Sequence, residues 1–154
     1  MEVHSVENRV EVLGVPGSNL NNNLIGFVLA GLEKVYAKTD SALFYSPSDV
    51  IDGLFRRKLQ LWLLIKDTHP KGFVITQIHE WPQKKRLDIL FAQADGLSAD
   101  DMETVLLSME QFAREHKCGQ ISGSGRLGWL KVLNRKWAKE ITYHYDVRET
   151  NVIH

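Results

Sequence analysis

Lys85-Arg86-Leu87-Asp88-Ile89-Leu90-Phe91-Ala92, then Gln93-Ala94-Asp95-Gly96-Leu97-Ser98, then Ala99-Asp100-Asp101-Met102 is the stretch on which the fold turns. Its first part is apolar enough for a buried strand, which we place over Leu87 to Ala92. Gly96 breaks it. Ser98 followed three residues later by Asp101 has the form of a capping box and opens a long helix. Met102, Val105, Leu106, Met109, Phe112 and Ala113 recur at helical spacing and predict its buried stripe, and Gly119 is the expected left-handed cap after Lys117-Cys118.

Upstream, two more strands precede this one in close order. Leu61 to Lys66 is apolar throughout, and Asp67 to Gly72 reads as a turn. Phe73 to Glu80 then alternates, with Phe73, Ile75, Gln77 and His79 on one face and Val74, Thr76 and Ile78 on the other. Trp81 to Lys85 turns again, so the three strands form an antiparallel meander. Further back lie two helices. The first runs from a cap near Asn22 or Asn23 to Lys38, with Leu24, Phe27, Val28, Gly31, Leu32 and Val35 on one side. The second opens at Ser46-Pro47-Ser48-Asp49, with serine as cap and proline at the first helical position. Residues 3–15 read as a strand ended by Pro16-Gly17.

Downstream, Gln120 to Gly123 is a short strand, Leu127 to Lys136 a short helix, and Glu140 to Val147 a last alternating strand; 148–154 is a frayed tail. The order is β-α-α-β-β-β-α-β-α-β, an α/β fold with a mixed, mostly antiparallel central sheet and helices on both faces. At 154 residues with no linker or repeat, residues 1–154 are expected to form a single domain.

Nineteen Lys+Arg balance nineteen Asp+Glu, so the chain lacks the basic excess of a nucleic-acid binder. The single cysteine, Cys118, excludes an internal disulfide, and no Cys/His spacing suits a metal. Met1 to Ser5 lacks the form of a signal peptide, and the longest apolar run, Leu61 to Ile65, is too short for a bilayer, so a cytoplasmic setting without membrane contact is expected. His79-Glu80-Trp81-Pro82 reads as a hairpin tip with an exposed aromatic rather than a metal or sugar site. Trp62 and Trp129 are expected in the core, Trp81 and Trp137 at an interface. Arg126, Lys131, Arg135, Lys136 and Lys139 read as a solvated basic face or a phosphate contact.

The order of elements resembles that of the GNAT superfamily of N-acetyltransferases across nearly the whole chain. Lys85 to Phe91 looks like the family's fourth strand. Glu110-Gln111-Phe112-Ala113-Arg114-Glu115 resembles the end of its main helix. Gly125-Arg126-Leu127-Gly128-Trp129-Leu130-Lys131-Val132-Leu133 is similar to a segment of small GNAT-like proteins of tailed bacteriophages, some of them virion components. The resemblance implies acetyl-CoA as the ligand, held by a Q/R-x-x-G-x-G/A loop whose amides and following helix N-terminus favour the pyrophosphate. Gln93, Gly96 and Ser98 occupy that pattern, with serine where the family has glycine or alanine, and a backbone amide between Leu90 and Ala92 would polarise the thioester.

Two departures point to a degenerate site. Asp95, Asp100 and Asp101 crowd the loop; one carboxylate about 6 Å from a phosphate costs about 1 kcal/mol in a dielectric of about 50–60. Leu133 stands where many family members carry a tyrosine general acid. Glu80, Asp88 and Tyr143 are the remaining catalytic candidates, with His79 beside them. The resemblance therefore implies a phage-type protein that associates with other phage structural proteins or with itself, in the host cytoplasm or the virion; the alternative is an active N-acetyltransferase on an amine.

Overall fold

A computed structural model describes residues 9–39 and 44–123 and the single residues 143, 145 and 147. Five strands form one sheet in the order β1-β2-β3-β4-β5: β1 Glu11–Val15, β2 Gln60–Lys66, β3 His69–Trp81, β4 Lys84–Ala94 and β5 Gln120–Gly123. The first three pairings are antiparallel and β4–β5 is parallel. α1 (Asn22–Tyr36) and α2 (Pro47–Phe55) cover one face, and α3 (Ala99–Glu115) covers the other. The sequence predicts this α/β architecture, with helices on both faces. The short helix over 127–136 and most of the last strand lie outside the described residues.

Two cores flank the sheet because β3 alternates. Phe73 and Ile75 meet Val28, Leu32, Val50, Leu54 and Phe91 on the α1/α2 side. Val74 faces Leu64, Leu87, Val105 and Met109 on the α3 side. Gly31 lets α1 sit directly on the sheet, since a Cβ there would overlap the Phe73 ring.

The hairpins are longer than the sequence suggests. Asp67 and Thr68 both adopt positive φ (53° and 64°), the requirement of a two-residue type I′ turn, so β3 begins at His69 rather than Phe73. Only Pro82-Gln83 separates β3 from β4.

The helix caps are local and mostly legible. Ser46 and Ser98 each form a capping box, with Asp49 and Asp101. The α1 cap is Asn21, one residue before the expected position; its side chain accepts from the Leu24 amide. α3 ends at Lys117 (φ 61°), not Gly119: Lys117 N–H donates to Arg114 O at 3.1 Å and Cys118 N–H to Ala113 O at 2.8 Å, a Schellman motif. Burial pushes the Cys118 thiol above its ordinary value.

Candidate functional site

β4 changes character at Leu90. Thr76 pairs with Ile89 and Ile75 with Phe91, leaving Leu90 as an extra residue, a β-bulge. Leu90 and Phe91 consequently both pack on the α1/α2 side, while Ile89 and Ala92 pack on the α3 side. Among the described residues, β5 pairs with β4 over residues 86–89 only; residues 91–94 pair with β3 alone.

Beyond β4, Asp95 N–H donates to Lys71 O at 2.9 Å and Gly96 turns the chain with φ 74°. A non-glycine residue there would be strained by about 1–2 kcal/mol. Ser98 N–H donates to Asp101 Oδ2 and Asp101 N–H to Ser98 Oγ, at 2.9 and 3.1 Å. The amides of Gly96, Leu97, Ala99 and Asp100 find no acceptor among the described residues. With the helix dipole behind them they form an anion-favouring concavity. A cavity of about 120 Å³ lies alongside, between Ala92, Gln93, Gly96, Leu97 and Met102.

The three loop acids are arranged differently from what their crowding in sequence implies. Asp95 pairs with Lys34 of α1 at 3.1 Å, with both side chains exposed. Asp101 is buried and pairs with Lys66 of β2 at 2.7 Å while closing the capping box. Asp100 alone is exposed without such a lysine. Each lysine offsets one unit of the charge that would repel a phosphate.

Burial works to raise the Asp101 carboxyl, but the Lys66 ammonium and the Ser98 hydrogen bonds outweigh it and hold the carboxyl below its ordinary value. Because the folded value is depressed, this site stabilises the protein above the ordinary carboxyl range and ceases to do so as pH falls through the folded value. Asp101→Asn is expected to lose about 2 kcal/mol at neutral pH. The gap to the unsubstituted protein should narrow as pH drops below about 4, checked by urea unfolding across pH. A gap independent of pH would contradict the assignment.

Asp88 is the second focus. Its carboxylate, nearly buried, accepts from Arg86 Nε at 2.7 Å and from the Ser122 hydroxyl, both on Oδ1, while His79 Nε2 lies 2.9 Å from Oδ2. The Trp81 ring stacks on His79, at 5.6 Å and 19°, and also meets the Arg86 guanidinium at 4.8 Å. Glu80 points elsewhere: it is exposed on the strand opposite Lys85. Tyr143 is 88% exposed, and the residues around it in the expected last strand lie outside the described residues. Leu133, Trp129, Trp137 and the basic cluster lie outside the described residues. Trp62 is only partly buried, its indole N–H donating to Thr76 Oγ1 at 3.0 Å.

Sequence reasoning placed Gln93, Gly96 and Ser98 in one turn, with Leu90 and Ala92 on the strand feeding it; in the structure Gly96 makes the turn and Ser98 caps α3, but Gln93 still pairs with Phe73 within β4, which runs to Ala94. It missed the Leu90 bulge, the two lysines and the His79–Asp88 pair. The bulge left no signal in the sequence, because Ile89-Leu90-Phe91-Ala92 is apolar throughout.

No protein-family profile and no curated protein matches the sequence. Solved structures do match its fold. An aminoglycoside acetyltransferase from an uncultured soil metagenomic sample, in complex with sisomicin, has a TM-score of 0.70 at 10% identity, over 94% of this chain and 100% of that one. A ribosomal-protein-alanine N-acetyltransferase from Brucella melitensis biovar Abortus 2308 has a TM-score of 0.64 at 13% identity, over 92% and 99%. A predicted acetyltransferase with acetyl-CoA from Clostridium acetobutylicum has a TM-score of 0.60 at 9% identity, over 88% and 96%. None of the helices in the described residues is long and apolar enough to cross a membrane. At such identities the likeness is one of architecture: a mixed, mostly antiparallel five-stranded sheet with helices on both faces, a GNAT-like fold shared with these acetyltransferase structures.

Proposed function

We propose that the chain binds acetyl-CoA along the end of β4 and the Gly96 turn and transfers the acetyl group to an amine. The observation that carries this is a coincidence on one strand: the bulge at Leu90 and the Gly96 turn follow one another within β4 and its exit, directly ahead of the α3 N-terminus. The extra residue of a bulge leaves ladder groups unpaired, so that a backbone N–H can meet a thioester carbonyl. The amides of Gly96, Leu97, Ala99 and Asp100, which find no acceptor among the described residues, suit a diphosphate. The pairing of Asp95 and Asp101 with lysines answers the charge objection in large part.

Acetyl-CoA supplies the activated acyl group. The chain's own contribution is to hold the thioester against the edge of β4, exclude water and take a proton from the incoming amine. The acyl–nitrogen bond forms as the carbon–sulfur bond breaks, and the sulfur leaves as a thiol after gaining a proton. With Leu133 in the proton-donor position, that proton comes from the attacking nitrogen or from water.

A second reading is a phage-type virion or assembly component with a degenerate acetyl-CoA site. It is favoured by one feature: Tyr143, Tyr145 and Val147 are 88%, 85% and 85% exposed. Isothermal titration separates the two. Micromolar heat with acetyl-CoA, and turnover with sisomicin or an alanine-terminated peptide, supports the first. No heat at high protein concentration, with co-sedimentation on phage head proteins, supports the second.

A further inference from the structure

We propose that His79 is the general base for the acceptor amine, and that Asp88 is a positioning residue rather than the base. This rests on the acetyl-transfer reading above.

Asp88 lies on β4 itself, but its carboxylate is already engaged. Oδ1 holds both Arg86 Nε and the Ser122 hydroxyl, and Oδ2 faces His79 Nε2. A proton arriving there would displace contacts that tie three strands together, since His79 lies on β3, Asp88 on β4 and Ser122 on β5. The histidine differs. A carboxylate facing Nε2 places the imidazole proton on that nitrogen and leaves the lone pair on Nδ1. His79 Nδ1 makes no hydrogen bond among the described residues, and its side chain is 39% exposed. The stack on Trp81 fixes the ring plane. A base whose tautomer and orientation are both set by neighbours is organised for proton transfer.

The position also suits the chemistry. Asp88 lies on β4 two residues before the Leu90 bulge. His79 and Asp88 share the α1/α2 face with Ile75 and Gln77, as the alternation and register of β3 require. The charged groups facing the ring are Asp88 and Arg86. In the step, one ammonium N–H bond breaks, its electron pair stays on the amine nitrogen and the proton bonds to Nδ1. The resulting imidazolium is balanced by the Asp88 carboxylate and later returns the proton to solvent. The second nitrogen proton leaves after attack and ends on the departing sulfur.

The test compares two acceptors with acetyl-CoA: ethylamine, an ammonium at neutral pH, and trifluoroethylamine, already neutral there. His79→Gln should lower kcat/KM for ethylamine about 100-fold and for trifluoroethylamine less than about 3-fold, since a neutral amine needs no base. Equal losses on both overturn the proposal. So does an unsubstituted protein that binds acetyl-CoA by titration yet acetylates neither amine. Absence of acetyl-CoA binding sinks the transfer reading itself, and is distinguished by the same titration. Long-range proton–nitrogen NMR gives a readout independent of turnover: His79 should be the Nε2–H tautomer, and a proton on Nδ1 instead contradicts the assignment. A thermal melt of His79→Gln confirms that the variant folds.

Discussion

Gly72→Ala is expected to destabilise the protein by about 3 kcal/mol, at the upper end of what overpacking costs. Gly72 pairs with Ala94 at the far end of the β3–β4 ladder. A Cβ at Gly72 would overlap the Gln93 carbonyl oxygen and come within 2.5 Å of the Ala94 Cα. Both are backbone atoms of β4, so no side chain can rotate away. Relief requires the end of β4 to move, and the hydrogen bond from Asp95 N–H to Lys71 O moves with it. The loop over Gln93 to Ser98 starts at the displaced point. The substitution should therefore weaken acetyl-CoA binding as well as stability, even under conditions where the variant stays folded. Urea unfolding and acetyl-CoA titration on one preparation check both, and a loss below about 1 kcal/mol would mean that the close approach is not rigid.

Deletion of Leu90 is expected to abolish acetyl-CoA binding, by about 100-fold or more, while leaving a folded protein. An active-site geometry displaced by about 1 Å can lose that much. Removing the extra residue restores strict alternation: Ile89 on the α3 side is followed directly by Phe91 on the α1/α2 side, each keeping the partner it already has. The stability loss is then confined to the Leu90 side chain, which is only partly buried, at about 2 kcal/mol. What disappears is the local kink in β4. A simple truncation, Leu90→Ala, keeps the bulge and should bind nearly normally. Calorimetry on the two variants separates backbone from side chain. Retained binding in the deletion would remove the bulge from the site.

Much of this molecule is written in short-range chemistry. Ser46 and Ser98 cap their helices with aspartates three residues on, because the partner amides lie within one turn. Phe73-Val74-Ile75 sorts itself onto two faces by the pleat alone. Gly96 sits at positive φ between an apolar strand and a serine cap, a turn readable from those neighbours. The turn at Asp67-Thr68 was less legible, because neither residue is the glycine or asparagine that usually advertises positive φ.

The electrostatics of the candidate site was not readable in this way. Asp95, Asp100 and Asp101 look like a repulsive cluster in the chain, yet Lys34 and Lys66, 61 and 35 residues away, neutralise two of them. The His79–Asp88 pair likewise exists only because the β3–β4 register sets them diagonally on one face, and the Ser122 contact only because β5 returns parallel beside β4. Sequence alone determined the elements, their caps and the α/β order, since each depends on atoms a few residues apart. Strand pairing decided which charges meet and where β4 bulges, because that depends on register between segments the chain places far apart in its own length.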